Sequence, residues 1–281
     1  MKNKFSWAIS DSNVTVNFEG KTHIVPLHEP LAKDLIQALK EKRLEDIPNL
    51  ISVAKRIEKM SQGEFIVQDG VILVDNIPAP KVLSDKILNF SNSGLPFEPL
   101  LNFAKKVQKN PSFRAVNELY SFLEKNDHPI TESGNFIAYK RVRGDFKDIH
   151  SGTFDNSVGK TISMPRNQVN EDPDQTCSQG LHVANWWYAH TQFASSNSDT
   201  DIMLEVEINP ADVVAVPNDY NNAKMRVCKY TVLGVVNSEH SSDVQLKYSG
   251  VAPSNDIFEG NPHFEDDYPF EDELDVDDLE W

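Results

Sequence analysis

The sequence predicts an α+β protein in three parts: an N-terminal mixed module of helices and β-hairpins, a domain with a mostly antiparallel sheet, and a disordered acidic tail. Apolar residues recur at helical spacing through much of residues 29–125. From residue 129 onwards the apolar period becomes that of strands, and beyond residue 250 the composition turns acidic. We therefore divide the chain at 1–128, 129–250 and 251–281.

Two strand regions are predicted in the N-terminal module. Residues 5–27 alternate polar and apolar residues and are broken by polar turn residues, which is the pattern of a hairpin or meander. Residues 65–73 alternate in the same way around Asp69-Gly70. An Asp-Gly pair between apolar runs is a strong signal for a two-residue turn, so this second region is predicted to be a hairpin.

Helices fill the rest of this module. One is predicted to open at Glu29-Pro30, and a second to run from Leu44 to Met60. Residues 82–125 carry three further apolar stripes at helical spacing, separated near Pro96 and at Asn110-Pro111-Ser112. A core of amphipathic helices explains all of these stripes, so we expect a structural or adaptor module.

The second domain is predicted to contain one helix and several strands. The helix covers Trp186 to Ala194, where apolar residues fit helical spacing. A weaker strand is predicted at 244–248. The five clearer strands are Phe136–Val142, Thr161–Met164, Ile202–Ile208, Val213–Val216 and Lys229–Val236.

The negative charge of the chain is concentrated in its tail. Of the net charge of -16, residues 251–281 contribute -12, because they contain twelve Asp and Glu and neither Lys nor Arg. Such a composition is typical of disorder. Solubility alone does not require the apolar residues spaced among these carboxylates, so we predict a partner-binding tail that uses Phe270, Leu279 and Trp281. A solubilising tail and a DNA mimic are the alternatives.

Several functional classes are disfavoured by composition. No run of about 18 apolar residues exists, and the start of the chain lacks a signal-peptide apolar segment. The acidic balance disfavours direct contact with nucleic acid or with an anionic lipid surface. The two cysteines, Cys177 and Cys228, are not expected to form a stable disulfide in a reducing compartment. No repeat or heptad suggests a structural virion protein.

Three short segments rich in polar, Gly and Pro residues, which we call the islands, have more specific residue patterns than a solvent-exposed loop requires. Their most specific pieces are HSGTFDNSVGK (150–160), TCSQGLHV (176–183) and DYNNAKMRVCKY (219–230). In this order the islands resemble the rIIB-type rapid-lysis proteins of tailed bacteriophages related to the T-even phages. The resemblance covers roughly residues 5 to 236.

The resemblance implies a role in lysis inhibition and in protection against premature lysis caused by resident prophages. It implies an rIIA-like phage protein as partner and a place in the host cytoplasm, with indirect association with the inner membrane through that partner. A host defence or membrane-associated protein is a further expected partner of the tail. Some rIIB-type proteins begin with a segment that resembles a helix-turn-helix, whereas this chain opens on a predicted strand. No catalysis and no cofactor are expected.

The islands also supply a hypothetical binding site. Basic residues there, with glycines that allow close backbone approach, could hold an anion or a nucleotide. The same cations could instead be paired with nearby aspartates, and neither a Walker nor a Rossmann pattern is present. The candidate binding residues are Tyr139, Lys140, His150, Cys177, His182, Lys224 and Arg226.

The cysteines of the islands allow two kinds of chemistry. Cys177, His182 and Cys228 could be drawn as a zinc site, with His150 and His190 as further nitrogen ligands. Cys177 with His182 or His150 could form a thiolate-imidazole pair. Zinc sites usually show closely spaced cysteine pairs, and no protease signature surrounds Cys177. A buried thiol beside a hydrogen-bonded histidine explains the same residues, so neither a metal nor a nucleophile is predicted.

The main alternative function is a nucleotide-binding or ADP-ribosyltransferase-like domain. Folds of that kind often present a basic or aromatic residue on a first strand, a Gly-Leu-His-like element before a helix, and Glu-x-Glu on a later strand. Here Tyr139, Gly180-Leu181-His182, and Glu205 with Glu207 fit those descriptions. Glu205 and Glu207 would share one face of their strand, and an ordinary amphipathic edge strand explains them equally well.

Overall fold

A computed structural model describes residues 5–126, 128–191, 198–217 and 223–236. The chain divides into two compact units, Met1–Val251 and Ala252–Trp281. Every described residue belongs to the first unit. The acidic tail and the predicted strand at 244–248 lie outside the described residues. In the described part of the chain, no helix combines the length and the apolar content needed to cross a membrane.

The N-terminal strands form a three-stranded antiparallel meander, as predicted. It comprises β1 (Ser6–Ile9), β2 (Asn13–Phe18) and β3 (Lys21–Pro26). Its apolar face packs on α1 (Ala32–Glu41) and α2 (Ile47–Ile51) around a small core of its own. That core includes Val14, Val16, Val25, Leu35 and Ile47.

The predicted helix at 44–60 is wrong in its extent, because two helices occupy the segment. Ser52 stands between α2 and α3 (Val53–Met60) in an extended conformation, with ψ at 119°. Its side-chain oxygen accepts from the N–H of Lys55, which caps α3. The capping serine thus starts a new helix at a place where the spacing of apolar residues alone predicts one continuous helix.

The second hairpin is confirmed. Strands β4 (Phe65–Gln68) and β5 (Val71–Val74) pair antiparallel, and β6 (Ile77–Pro78) adds a third short strand. Asp69 and Gly70 both have positive φ, at 50° and 75°. A two-residue turn of that kind matches the twist of paired strands, which is why Asp-Gly predicts it.

The three helices predicted within 82–125 are present. They are α4 (Lys81–Asn92), α5 (Glu98–Val107) and α6 (Phe113–Lys125). Ser112 caps α6 by accepting from the N–H of Ala115. Their apolar faces pack against a large sheet formed by the second half of the chain.

That sheet has seven antiparallel strands in the order β11-β12-β9-β7-β10-β13-β8. All five predicted strands occur in it, and a short helix α7 (Trp186–Thr191) follows β9. Sequence reasoning missed β9 and β12 as strands, although both lie within the islands. The strands are β7 (Phe136–Val142), β8 (Thr161–Ser163), β9 (Leu181–Ala184), β10 (Ile202–Ile208), β11 (Val213–Ala215), β12 (Lys224–Val227) and β13 (Lys229–Val235).

One hydrophobic cluster spans the predicted boundary at 128/129. It joins Leu83 and Phe103 of the helices to Phe136, Val206 and Met225 of the sheet. Residues on both sides of position 128 therefore share a core. The division of the chain into separately folding parts at this position stays a prediction. The opposite face of the sheet carries α7 and a smaller apolar cluster.

Candidate functional site

The face of the sheet that carries α7 brings several predicted site residues into rows. Glu205 of β10 lies opposite Tyr139 of β7, Tyr139 lies opposite Ala184 of β9, and Ala184 lies opposite Lys224 of β12. Directly opposite residues of antiparallel strands share a face, and neighbouring strands are about 4.8 Å apart. Four strands distant in sequence thus contribute one row of side chains.

The next row contains Arg226 of β12 opposite His182 of β9. Beyond this row β7 and β9 part. In the described chain, Tyr139 and Ala184 are the residues that pair between these two strands. Across this opening, Lys140 Nζ donates to the backbone carbonyl oxygen of His182 at 2.9 Å. We call the region between the end of β7 and the start of β9 the strand opening; Lys140 and His182 define it.

His182 lies in a strongly positive environment. Burial, and after it the charges of Lys140, Arg226, Lys224 and His150, together lower the pKa of its imidazole to about 3. The imidazole is therefore neutral over the physiological range and keeps one N–H donor. Of the seven predicted binding residues, Tyr139, His182, Lys224 and Arg226 thus share the face of the sheet that carries α7, whereas Lys140 lies on the other face.

Lys140 extends across this opening from β7. Burial lowers the pKa of its ammonium to about 8, and the negative charge of Asp148 acts in the opposite direction. Its Nζ also lies 5.6 Å from the centre of the Tyr230 ring, at a cation–π distance. Lys140 lies opposite Leu204 of the core, so its side chain leaves the sheet on the face opposite to the His182 imidazole.

Arg226 orders the loop that precedes β9. Its guanidinium is fully buried and donates to the backbone carbonyls of Asn170, Gln175 and Asp172, at 2.8, 2.5 and 2.5 Å. Gly180 lies over its side chain, where a Cβ would come within 3.1 Å of Arg226 Cδ. The TCSQGLHV island is thus explained in large part by loop structure, and Cys177 in it is exposed.

The HSGTFDNSVGK island is built around carboxylate and amide side chains that sequence reasoning did not single out as a site. The Asp148 carboxylate accepts four hydrogen bonds, from the N–H and hydroxyl of Ser151 and from the N–H groups of Thr153 and Phe154. Asn156 is fully buried and its Oδ1 accepts from the Tyr230 hydroxyl. The signal was the Asp-x-x-Ser spacing, which is typical of side-chain capped turns.

Two further basic residues of this region, Lys160 and Arg166, are engaged in contacts elsewhere. Lys160 forms an ion pair with Asp155 within its own turn. Arg166 donates to the carbonyls of Ala211 and Val213 and to Asn110 Oδ1, each at 2.9 Å. These cations stabilise turns and the junction with α5, and they do not reach the strand opening.

Glu205 and Glu207 share one face of β10, as predicted, with Leu204, Val206 and Ile208 in the core on the other face. The alternative of an edge strand is wrong, because β10 lies between β7 and β13. Glu205 is buried, and its Oε1 has no hydrogen-bond partner within the described chain. Glu207 Oε1 accepts from the Thr131 hydroxyl at 3.4 Å.

Aromatic residues cover the Glu205–Tyr139 row. The Tyr139 ring contacts the Trp186 ring edge-on at 5.3 Å between centroids, and Trp186 stacks on His190. Lys224 lies over the Tyr188 ring at 5.6 Å. Helix α7 therefore closes this face with an apolar and aromatic layer.

The alternative zinc set is not assembled. Cys228 packs in a small apolar cluster with Val169 and Val214, and its thiol lies 3.7 Å from Asp212 Oδ1. Burial raises the pKa of this thiol, with the Asp212 charge adding to the rise, so it stays protonated. Within the described ranges, no group of three or more His, Cys, Asp or Glu residues could hold a metal ion.

The predicted tail residues Phe270, Leu279 and Trp281 lie outside the described residues, as does the start of the DYNNAKMRVCKY island. Its described part begins at Ala223, whose carbonyl accepts from the N–H of Asn185 at 2.8 Å. This bond ties the entry to β12 to the end of β9.

Comparison with known proteins matches the part of the chain that contains the islands. The model of the family described as bacteriophage T4 protein rIIB matches residues 7–246. Protein rIIB of Enterobacteria phage T4 is 38% identical over 233 residues, which cover 83% of this chain and 73% of that protein. No solved structure matches the chain.

Proposed function

The chain belongs to the bacteriophage T4 rIIB protein family, and we propose that it is a phage accessory protein that controls lysis timing through a protein partner, without catalysis. The observation that carries this proposal is the family match over residues 7–246, which includes all three islands. The chemistry of the islands is consistent with it, since much of their polar content is used within the protein. Arg226, Asp148 and Asn156 each hold a loop or turn in place.

The partner we propose is an rIIA-like phage protein, with a host defence or membrane-associated protein as a second. The recruiting element is the tail, where twelve carboxylates are interspersed with apolar residues that include Phe270, Leu279 and Trp281. Its carboxylates would accelerate encounter with a cationic surface, and its aromatic residues would supply the buried contact. The protein would act in the host cytoplasm and reach the inner membrane only through this partner.

The test is a tagged pull-down from infected cells with four forms of the protein. They are the full chain, a chain ending at Gly250, a full chain with Phe270, Leu279 and Trp281 changed to Ser, and a full chain with the tail carboxylates changed to amides. Loss of one phage or host protein from the truncated form and the Ser form would support the proposal. The amide form should bind the same protein more slowly and with weaker salt dependence.

Retention of every partner by the chain ending at Gly250 would reject the tail as the recruiting element. Lysis timing in cells infected with a phage carrying each form then supplies the functional readout. Normal timing with the Ser form, despite loss of the partner, would reject control of lysis through that partner.

A second candidate is transferase or nucleotide-binding activity. It is favoured by the placement of Glu205, Tyr139 and His182 on one face of three adjacent strands. Purified protein incubated with labelled NAD tests it, with Glu205→Gln and Glu207→Gln as variants. Label transfer that is lost in either variant would support the enzyme, and absence of both transfer and NAD binding would reject it.

A further inference from the structure

The edge strand β1 is open to solvent along its whole length. All residues of Ser6–Ile9 are exposed, and within the described chain β1 pairs on one side only, with β2. Trp7 and Ile9 are each 41% exposed, which is unusual for large apolar side chains in a small sheet. An exposed apolar edge of this kind can pair with a strand of another chain.

These two apolar side chains lie on the core side of the meander. Trp7 lies opposite Val16. Ile9 lies opposite Val14, and residues that are directly opposite in antiparallel strands share a face. Val14 and Val16 pack in one core with residues of α1 and α2, whereas Trp7 and Ile9 lie outside that core. The helices therefore leave the core side of β1 uncovered.

The backbone of the same two residues also points to the open edge. The N–H of Ser10 donates to the carbonyl of Asn13 at 2.9 Å, where the pairing of β1 with β2 continues into the turn. Hydrogen-bonded and non-hydrogen-bonded pairs alternate along antiparallel strands, so Ala8 is bonded to β2 while Trp7 and Ile9 turn their N–H and C=O groups outwards. The open edge thus offers both donors and acceptors to an added strand.

The edge lacks the features that usually block such pairing. Exposed edges commonly carry charged residues, Pro or a bulge. Residues 6–10 read SWAIS, without charge, Pro or Gly, and their pairing with β2 is regular. By contrast, β3 at the other edge of this sheet begins at Lys21 and ends at Pro26. Of these two edges, β1 is therefore the one that is open to a further strand.

The sequence of the edge fits a second copy of the same strand. SWAIS is nearly symmetric about Ala8, with Ser6 and Ser10 at its ends and Trp7 and Ile9 beside the centre. In an antiparallel pair with a two-fold axis at Ala8, Trp7 lies opposite Ile9 of the second copy, so both outward-facing residues of each strand find partners. An axis at Trp7 or at Ile9 would instead set two identical large side chains opposite each other.

The expected pair is antiparallel and weak. Lys4 precedes the strand in the sequence and Asp11 follows it. Antiparallel pairing therefore brings opposite charges to each end of the joined strands, whereas parallel pairing brings like charges together. Two copies would bury roughly 600 Å² in total, mainly from Trp7 and Ile9, compared with about 1,200 Å² or more for stable complexes. The association should therefore depend on concentration.

We propose that the chain forms a weak homodimer by antiparallel pairing of β1 with β1 of a second copy, on a two-fold axis at Ala8. The two meanders then form one continuous sheet in which the outward backbone groups of Trp7 and Ile9 are hydrogen-bonded. The two rows of apolar side chains meet on the core side of this sheet. The pairing uses neither the acidic tail nor the face that carries α7, so it is independent of the partner proposed above.

The first test is sedimentation velocity of the full chain over about a hundredfold range of concentration. The unmodified chain should shift from monomer towards dimer as the concentration rises. Ile9→Lys places a charge on the open edge and should weaken the association by about tenfold or more. Ile66→Lys is the matched control, because Ile66 is also 41% exposed, on β4, and this change should alter the association by less than about twofold.

A disulfide test determines the register. Every form carries Cys177→Ser, because Cys177 is exposed. Ala8→Cys should cross-link two copies, since a directly opposite, non-hydrogen-bonded pair has its Cα atoms about 4.5 Å apart. Ser10→Cys alone should not cross-link, because its two copies would lie roughly 13 Å apart along the strands. A mixture of Ser6→Cys and Ser10→Cys should cross-link, because these two positions lie opposite each other in this register.

A chain that stays monomeric at every concentration would overturn the proposal, as would equal weakening by Ile9→Lys and Ile66→Lys. Cross-linking of Ser10→Cys as efficient as that of Ala8→Cys would reject the register. Circular dichroism shows whether Ile9→Lys is folded. If it is not, Ile9→Pro replaces it; this change removes an outward N–H group, leaves the hydrogen bonds to β2 in place and should weaken the association to a similar extent.

The chain ending at Gly250 separates this inference from partner recruitment by the tail. It should dimerise as the full chain does, because the paired strand lies at residues 6–9. Loss of the dimer on removal of the tail would reject β1 as the contact. Failure of the pull-down with an unchanged dimer would reject the tail as the recruiting element and leave the pairing of β1 in place.

Discussion

Lys140 reaches from β7 to the backbone of His182 on β9, 2.9 Å from its carbonyl oxygen, at the place where the two strands part. The bond uses a side chain where a strand pair would use backbone N–H groups. A partly buried lysine is costly, since burial lowers the pKa of its ammonium to about 8. An aliphatic residue could not donate to the His182 carbonyl, so the ammonium stabilises the junction where the two strands part.

Gly134 is expected to be intolerant of a side chain. A Cβ at Gly134 would lie 2.3 Å from the backbone carbon of Asn102 and 2.4 Å from the nitrogen of Phe103 on α5. We expect Gly134→Ala to lower the free energy of unfolding by about 3 kcal/mol or more. The matched control is Gly159→Ala, which has a similar φ of +85° with nothing within 4 Å and should lose only about 1 kcal/mol. Urea denaturation of both variants tests this, and equal losses would contradict it.

Replacing Arg226 by Lys should loosen the loop before β9. Lysine keeps the charge but cannot donate to the three carbonyls of Asn170, Asp172 and Gln175 together. We expect a loss of about 2 to 4 kcal/mol in stability and faster proteolysis within 169–180. Arg114→Lys on the exposed face of α6 is the control and should cost less than about 0.5 kcal/mol. Unchanged proteolysis in Arg226→Lys would show that the loop is ordered by other contacts.

A buried ion pair anchors the segment before α1. Arg56 Nε and Nη2 donate to the two carboxylate oxygens of Glu29 at 2.6 and 2.5 Å, and both side chains are 1% exposed. Arg56→Met leaves the Glu29 carboxylate buried alone, so we expect a loss of about 3 to 5 kcal/mol. The double variant Glu29→Met/Arg56→Met should be more stable than the single one, whereas Lys55→Met, an exposed neighbour, should cost little. A double variant as unstable as the single one would refute this account.

His128 is expected to make stability depend on pH. Burial lowers the pKa of its imidazole from 6.5 to about 4 in the folded protein, while its Nδ1 bonds the carbonyl of Ile137. Because the folded pKa lies below the unfolded one, the stabilisation is complete above pH 6.5 and is lost as pH falls towards 4. At pH 5 the loss from His128 is about 2 kcal/mol relative to pH 7.

His128→Gln should therefore reduce the difference in unfolding free energy between pH 7 and pH 5, as measured by urea denaturation at each pH. Part of the difference should remain, because His182 has a lowered pKa and acts with the same sign. His150→Gln, at an exposed position, is the control. The same pH dependence in His128→Gln and in the unmodified protein would exclude His128 as its source.

Local patterns predicted most of the helices and hairpins. Helical spacing found α4 to α6, and Asp69-Gly70 found the β4–β5 hairpin, because each depends on residues close in sequence. The single helix predicted at 44–60 was wrong, because the break depends on one capping residue, Ser52. Strands β9 and β12 were missed because each is only four residues long, the shortest run over which alternation can indicate a strand.

The α+β class, the order of most elements, the concentration of charge in the tail and the residues of the candidate site all follow from patterns in the sequence. How those residues meet depends on the tertiary fold. It paired β9 with β12, parted β9 from β7 and set Lys140 beside His182, while Arg226 and Asp148 became supports for loops. Strand order and register come from core packing between residues distant in sequence, such as Val183 and Met225. The spacing of apolar residues within one segment does not indicate which distant segment it packs against.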